Sequence, residues 1–220
     1  MRNRRPLKKS IGIVGEGLTE RMYFKYIRSS RSYAFSLKPD LPSHTDYAHI
    51  FAKAKSMIAK GYDLVFCVLD SDVILRDYQL QEFPHSCSRL PSTVLPITSN
   101  PCIEFWFLLH FLDNPKSRIY ESCQSVINNA LHKFIPGYEK TETYLASSQA
   151  FARMEQNNGL QRALSSAEHL LSILHAEMDV ALCSFTEIST RIMHLETCKG
   201  CTFKNDCRTC SNTVSTFFGR

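Results

Sequence analysis

The sequence of 220 residues has no apolar run of the length that a bilayer-spanning helix requires. Its basic N-terminus is not followed by the long apolar segment of a signal peptide, because the apolar stretch at residues 11–14 is too short. It also contains no internal repeat and no low-complexity tract. These absences argue against a membrane or secreted protein, and we expect a cytoplasmic protein with no membrane partner.

A strong charge of one sign is missing as well, since the formal net charge is only +5. A charge of this size permits a nucleic-acid partner without requiring one. The densest basic patch is the N-terminus, which predicts either a phosphate-binding arm or a solubilising tail. The candidate nucleic-acid contacts in this arm are Arg2, Arg4, Arg5, Lys8 and Lys9.

The first half of the chain alternates between strand and helix patterns, which predicts an α/β fold with a mostly parallel sheet flanked by helices. The later apolar spacing is helical throughout, including residues 185–195. We therefore expect an α/β core at residues 1–115, a helical region at 116–196 that packs on or beside it, and a cysteine-rich tail at 197–220.

Several local patterns predict element boundaries. Residues 33–37 are predicted as a strand, and a helix is expected at residues 46–60. The two prolines that bound residues 84–91 indicate a loop. Pro96, inside a predicted strand at residues 93–97, favours the edge of the sheet.

The most informative stretch is an apolar run, residues 64–69, that stops at Asp70 and Asp72. Such a run is typical of a parallel strand buried on both faces. Ligands of α/β sheets bind at the carboxyl ends of these strands, where two aspartates offer oxygen ligands to a divalent cation. A turn or helix cap rich in aspartate is the alternative.

Three glutamates, in two further stretches of the sequence, are also candidate site residues. Glu16 lies between two glycines where the first strand passes into a helix, and Glu20 follows one helical turn later. Glu104 stands in an almost entirely apolar helix that Ser99 or Asn100 would cap. A buried carboxylate there requires a partner or a cation, or else a structural hydrogen bond to nearby backbone.

The cysteines fall into two groups. A pair of Cys-x-x-Cys motifs near the C-terminus predicts a closed, structural zinc site, with an iron–sulfur cluster or no metal as the alternatives. The predicted ligands are Cys198, Cys201, Cys207 and Cys210. The scattered cysteines are interpreted as small buried residues or as residues without a specific role; they are Cys67, Cys87, Cys102, Cys123 and Cys183.

Three stretches resemble the RloB-like family in order and spacing: residues 13–24, 69–72 and 99–111. The resemblance covers roughly residues 10–150, with Tyr138 and Lys140 as candidates for a weaker downstream motif, and it does not include the cysteine tail. It implies a Toprim-like fold, the module shared by topoisomerases, primases and OLD-type nucleases, and a link to bacterial phage defence and restriction–modification. Carried over by motif, the Toprim carboxylates would be Glu16, Asp70 and Asp72.

These features lead to three hypotheses. The first is a nuclease that cleaves DNA or RNA, with tRNA among the options, and in which Asp70 and Asp72 hold Mg²⁺ or Mn²⁺. Glu16 would be a further ligand or a proton-transfer group, supported by Glu104 and by Glu20 as a weaker candidate. The second is a nucleic-acid-binding or sensing subunit without cleavage. The third is a structural or interaction subunit, with a defence-operon protein or a second copy as partner.

Overall fold

The computed structural model describes residues 10–33, 36–42, 44, 46–76, 82–113, 115, 120–177 and 184–188. The strands are β1 Ser10–Gly15, β2 Ser36–Asp40, β3 Leu64–Asp70, β4 Val94–Asn100 and β5 Phe185–Thr186. The helices of the first half are α1 Leu18–Ser30, α2 Tyr47–Ala59, α3 Ser71–Arg76, α4 Glu82–Ser88 and α5 Ile103–Leu109. Those that follow are α6 Cys123–Asn129, α7 Glu142–Ala146, α8 Gln149–Met154 and α9 Gly159–Glu177.

The strands form one sheet in the order β2-β1-β3-β4-β5. β1 pairs in parallel with β2 and β3, and β3 pairs in parallel with β4. Only β5 runs antiparallel to its neighbour, through Ser99 and Asn100 of β4. The predicted α/β fold with a mostly parallel sheet is therefore confirmed.

Side chains of β3 alternate between two hydrophobic cores, because successive residues of a strand point to opposite faces of the sheet. Phe66 and Val68 join the core on the side of α1 and α5. Val65, Cys67 and Leu69 join the core on the side of α2 and α4. This double burial explains the unbroken apolar run and places β3 at the centre of the sheet.

Helix α2 follows directly from its local sequence. The Asp46 side chain accepts a hydrogen bond from the backbone N–H of His49 and so caps the first turn. At the other end Gly61 has a φ of +90°, a conformation that glycine adopts without steric cost. The predicted helix over residues 46–60 is confirmed within one residue at each end.

Other boundaries differ from those predicted. The second strand is Ser36–Asp40 and not residues 33–37, so Pro39 lies in the outermost strand. The expected loop at residues 84–91 is largely helix α4. Where a helix over residues 185–195 was predicted, Phe185 and Thr186 form β5, and residues 189–195 lie outside the described part of the chain.

The start of α5 is also different from the prediction. Ser99 and Asn100 are the last residues of β4, and the Asn100–Pro101 peptide bond is cis. Cys102 is the N-cap, and it makes no side-chain hydrogen bond to the helix. The helix start is instead stabilised by a residue from another strand, described below.

The helical region packs against the sheet through a shared core. Trp106 and Phe107 of α5, Phe151 of α8 and Ala167 of α9 belong to the same hydrophobic cluster as Phe66 of β3. Helix α5 therefore lies between the sheet and the later helices. Within the described residues, every helix is too short or too polar to cross a bilayer.

Candidate functional site

The site begins where two neighbouring parallel strands end. β1 ends at Gly15 and β3 ends at Asp70, and the two strands are hydrogen-bonded along their length. Glu16 follows β1 directly, and its Oε1 accepts a hydrogen bond from the backbone N–H of Asp70 at 2.9 Å. The predicted meeting of Glu16 and Asp70 at one sheet edge is therefore observed.

The two aspartates are fixed to the start of α5. Asp70 Oδ1 accepts a hydrogen bond from the backbone N–H of Ile103 at 3.0 Å and so provides the cap that Cys102 does not. The backbone N–H of Asp72 donates to the carbonyl oxygen of Pro101 at 3.2 Å. These two bonds bring the aspartates next to the helix that carries Glu104.

Glu20 turns back toward the strand end. Its Oε2 accepts a hydrogen bond from the backbone N–H of Gly17 at 2.9 Å, and only 4% of the residue is exposed. The Glu20 side chain packs directly against Gly15. A larger residue would not fit there, because a Cβ added at that glycine would lie 2.4 Å from the Cβ of Glu20. Both ends of the Glu20 side chain are thus positioned by the glycines that flank Glu16.

Glu104 is fully buried and has three side-chain contacts from later in the chain. Its Oε1 accepts from the Tyr138 hydroxyl at 2.9 Å and from the Lys140 ammonium at 3.0 Å. Its Oε2 lies 3.0 Å from the sulfur of Cys123. Its observed hydrogen-bond partners are therefore side chains, and not the neighbouring backbone of the structural alternative.

Two cysteines interpreted as isolated buried residues are joined. Cys102, at the N-cap of α5, forms a disulfide with Cys123, the first residue of α6, with a Cα–Cα distance of 5.5 Å. The interpretation was right for Cys67 and Cys87, which are buried and free. Cys183 lies outside the described residues.

Burial and mutual repulsion alter the acidity of these groups. Burial, together with the charges of Glu20 and Asp72, raises the pKa of Glu16 from 4.5 to about 8. Burial and the charge of Glu104 raise the pKa of Glu20 to about 7. Burial and three neighbouring carboxylates raise the pKa of Asp70 well above its usual range.

Lys140 is the cation that compensates this cluster. Its partial burial lowers the pKa, but the carboxylates of Glu104, Asp70 and Glu20 outweigh that effect and hold the pKa above its ordinary value. Sequence analysis noted Lys140 only as part of a weak downstream motif. Its 36-residue separation from Glu104 leaves no local pattern that would have assigned it to the site.

His110, on the same helix as Glu104, belongs to the core. It is 1% exposed, and its Nδ1 lies 3.0 Å from the carbonyl oxygen of Trp106. Burial lowers its pKa to about 4, so the imidazole is neutral near pH 7.

Glu16 and Asp70 offer carboxylate oxygens, the type of donor atom that hard cations such as Mg²⁺ or Mn²⁺ take in proteins. Glu16 and Asp70 each use one carboxylate oxygen in a hydrogen bond to backbone, and within the described chain Glu16 Oε2 and Asp70 Oδ2 have none. Oriented carboxylates with a second oxygen left over are suitable ligands for Mg²⁺, which retains several waters when protein-bound.

The three carboxylates predicted to bind the ion do not form a compact ligand group. Over the described ranges, three potential ligand atoms lie within 4.8 Å of one another only at Cys102, Glu104 and Cys123, and not at Glu16, Asp70 and Asp72. The two sulfurs of the first group are joined in a disulfide and do not act as thiolate ligands. One cation bound by all three carboxylates would require their oxygens to move closer together.

The other predicted sites lie outside the described residues. They are the basic arm, Arg2, Arg4, Arg5, Lys8 and Lys9, and the zinc or iron–sulfur ligands, Cys198, Cys201, Cys207 and Cys210. Both remain predictions.

The family model of the RloB-like protein matches residues 11–195. The chain belongs to the RloB-like family. No curated protein and no solved structure matches it. The range shared with the RloB-like family contains Glu16, Asp70 and Glu104, as well as Lys140, whereas it ends before the first cysteine of the tail, Cys198.

Proposed function

We propose that this RloB-like protein is a nuclease, dependent on Mg²⁺ or Mn²⁺, that hydrolyses phosphodiester bonds of DNA or RNA in bacterial phage defence. One observation carries the proposal. Carboxylates from three separate segments, Glu16 and Glu20, Asp70, and Glu104, interact electrostatically at one end of the parallel sheet. So much negative charge in a buried place opposes folding unless protons or cations neutralise it.

Asp70, Asp72 and Glu16 would hold the ion. When bound, the ion would neutralise a non-bridging phosphate oxygen and help to generate the nucleophile. The protein's own contribution is to hold the ligands in place. Asp70 is fixed through Ile103 and Glu16 through the backbone of Asp70, and binding of one ion would draw their remaining carboxylate oxygens and Asp72 closer together.

Glu20 is the candidate for proton transfer when Glu16 binds the ion. A general acid or base works best when its pKa is near the working pH, and burial together with the charge of Glu104 raises the pKa of Glu20 to about 7. Glu20 is thus able to take up and release a proton near neutrality. An ordinary exposed carboxylate, with a pKa near 4.5, does this poorly.

Lys140 would assist at the phosphate. Its side chain is 43% exposed while its ammonium contacts the fully buried Glu104. Its ammonium is bound to the acidic cluster, and the partial exposure of its side chain would let a polyanionic backbone approach it. A cation in this position attracts phosphate and opposes the repulsion between nucleic acid and carboxylates.

A second candidate is a nucleic-acid-binding or sensing subunit that does not cleave. The contacts of Glu104 favour this second candidate, because Tyr138 and Lys140 already bind one oxygen of its carboxylate. Because Lys140 compensates part of the carboxylate charge, the site would suit binding of nucleic acid without cleavage as well as it would suit catalysis.

The proposals are separated by incubating the full chain with single-stranded DNA, double-stranded DNA and tRNA, each with Mg²⁺ or Mn²⁺. We expect cleavage of at least one substrate, stopped by chelation. Asp70→Asn and Glu16→Gln should each reduce the rate about a hundredfold or more without changing the circular dichroism spectrum. The matched control is Asp113→Asn, a carboxylate paired with Arg162 away from the site.

Two results would decide against the nuclease. Cleavage that persists at the wild-type rate in both Asp70→Asn and Glu16→Gln would remove these residues from the chemistry. Salt-sensitive retention of nucleic acid with no cleavage under any condition would establish the binding subunit instead.

A further inference from the structure

The disulfide between Cys102 and Cys123 lies inside the candidate site. The Cys123 sulfur is 3.0 Å from Oε2 of Glu104 and 3.1 Å from the ammonium of Lys140. The same ammonium lies 3.0 Å from the other oxygen of Glu104. A change at this sulfur therefore acts directly on the ion pair between Glu104 and Lys140.

The two sulfurs differ in access. Cys102 is fully buried, whereas Cys123 is only half-buried and lies next to Lys140, which is partly open to solvent. Thiol–disulfide exchange requires access to the attacked or attacking sulfur, and a neighbouring ammonium favours the sulfur anion. Cys67 and Cys87, the cysteines of the described chain outside this disulfide, are both buried.

We propose that Cys102 and Cys123 form a reversible dithiol–disulfide site that reacts with low-molecular-weight disulfides, and that its state controls how Glu104 is held. The first half of this proposal is independent of any nuclease activity. The second half rests on the proposed function, because Glu104 matters there as part of the carboxylate cluster.

The chemistry balances as two exchange steps. The Cys123 thiolate attacks one sulfur of the small disulfide, which releases one small thiolate and leaves a mixed disulfide on Cys123. The Cys102 thiolate then attacks the Cys123 sulfur, forms the protein disulfide and displaces the second small thiolate. Two protein thiols and one small disulfide become one protein disulfide and two small thiols, with two electrons passing to the small molecule.

The bridge is placed to act on the site through the start of α5. Cys102 immediately precedes Ile103, whose N–H is bound by Asp70, and lies two residues before Glu104. In the oxidised form the bridge ties this turn to the first residue of α6. Reduction would release the tie and leave a thiol at Cys123, 3.0 Å from Glu104 Oε2 and 3.1 Å from the Lys140 ammonium. Its S–H form would donate to that carboxylate oxygen, and the thiolate fraction stabilised by Lys140 is the species that attacks a disulfide.

Both effects of reduction act against a cation. The reduced protein has a looser helix start and one carboxylate oxygen engaged by a thiol, so the site is less well prepared to receive Mn²⁺. We expect the dissociation constant for Mn²⁺ to rise about fivefold or more on reduction, a coupling typical of linked sites.

The test equilibrates the full chain in buffers of oxidised and reduced dithiothreitol and blocks free thiols by alkylation. Peptide mass spectrometry then follows Cys102 and Cys123 separately from the tail cysteines. We expect both to become protected together, as one two-electron transition. With a linear small disulfide such as oxidised 2-mercaptoethanol, Cys102→Ser should accumulate a mixed disulfide on Cys123, and Cys123→Ser should form none on Cys102.

Mn²⁺ binding is measured by calorimetry in the oxidised and reduced forms and in the variant Cys102→Ser, which should match the reduced form. Independent alkylation of the two cysteines at every potential would overturn the redox site. Joint protection with the same Mn²⁺ affinity in both forms would overturn its link to Glu104. Joint protection with no Mn²⁺ binding at all would defeat the proposed function and leave the redox site standing.

Zinc provides the remaining outcome. If the reduced protein binds one Zn²⁺ that is lost in both Cys102→Ser and Cys123→Ser but kept in Cys198→Ser, the pair is a metal site with Glu104, and the exchange proposal is wrong.

Discussion

The ammonium group of Lys140 lies 3.0 Å from Oε1 of Glu104, a carboxylate with no exposed side-chain surface. The two residues come from different parts of the chain, α5 and the segment before α7. Glu104 is fully buried while Lys140 is partly exposed, so removing Lys140 leaves an uncompensated charge in the core, which is costly. The contact thus joins the stability of the fold to the electrostatics of the candidate site.

Lys140→Met should destabilise the protein by about 2 kcal/mol or more, since Glu104 then loses its counter-charge. The measurement is urea unfolding at pH 7.5, with the exposed Lys133→Met as the control. The double variant Lys140→Met with Glu104→Gln should recover much of the loss, because the buried charge is also gone. If the double variant is no more stable than Lys140→Met alone, the two residues are not coupled.

Tyr138→Phe removes the other donor to Glu104 Oε1 and should lower the free energy of unfolding by about 1–2 kcal/mol. The suitable control is Tyr144→Phe. The ring of Tyr144 packs on that of Tyr138, with 5.8 Å between the ring centroids. Equal effects of the two substitutions would show that the Tyr138 hydroxyl contributes nothing specific.

Gly15→Ala should be destabilising by about 1–3 kcal/mol, because the added Cβ would lie 2.4 Å from the Cβ of Glu20. The same change at Gly17 meets only the end of the Glu20 side chain, with Oε2 at 3.1 Å, and should cost clearly less. Thermal unfolding of the two variants in one buffer makes the comparison. A Gly17→Ala protein that is the less stable of the two would contradict this packing.

Protons on the site carboxylates should make the metal-free protein less stable as the pH rises. Between its ordinary pKa of 4.5 and its folded value of about 8, Glu16 keeps a proton in the folded state that the unfolded chain has lost. The free energy of unfolding then falls with rising pH in this window, by at most about 1.4 kcal/mol per pH unit for each such carboxyl.

Urea unfolding between pH 5 and pH 8, with a chelator present, compares the wild type with Glu16→Gln. The variant should show the shallower fall, since its side chain does not titrate. Mn²⁺ added at pH 8 should restore stability to the wild type, because it replaces the missing protons. Parallel pH curves for the two proteins would mean that Glu16 titrates normally.

The disulfide should contribute about 3 kcal/mol, as estimated from the entropy of closing a loop across 21 residues of sequence. Unfolding curves with and without reductant measure this directly. The double variant Cys102→Ser with Cys123→Ser should be insensitive to reductant. Continued sensitivity would assign the effect to other cysteines.

The sequence was most informative where a pattern was local. The apolar run before Asp70 predicted a buried central strand without knowledge of how the strands pair. The structure explains the run, because its residues pack alternately into one of two cores. Glu16 was predicted at a strand end because its flanking glycines indicate a tight turn. These signals lie within a few residues of the groups that they place.

Contacts made across the fold were beyond such patterns. No sequence pattern near Glu104 predicts its contacts with Lys140 and Cys123. These residues come close to Glu104 only when α5 packs against the later segments of the chain. The cap of α5 was assigned to Ser99 or Asn100 on local preference, yet Asp70 provides it from the neighbouring strand. Proline spacing likewise suggested a loop where α4 forms, since Pro84 is tolerated in the first turn of a helix.

The position of Glu104 bears on how this protein is divided for experiments. A fragment that stops near residue 115 would retain every acidic group of the cluster and lose Tyr138 and Lys140, as well as β5. Such a fragment carries an excess of buried negative charge and an unpaired stretch of β4. For expression, fusion or domain exchange, the smallest sensible unit therefore extends from β1 through β5.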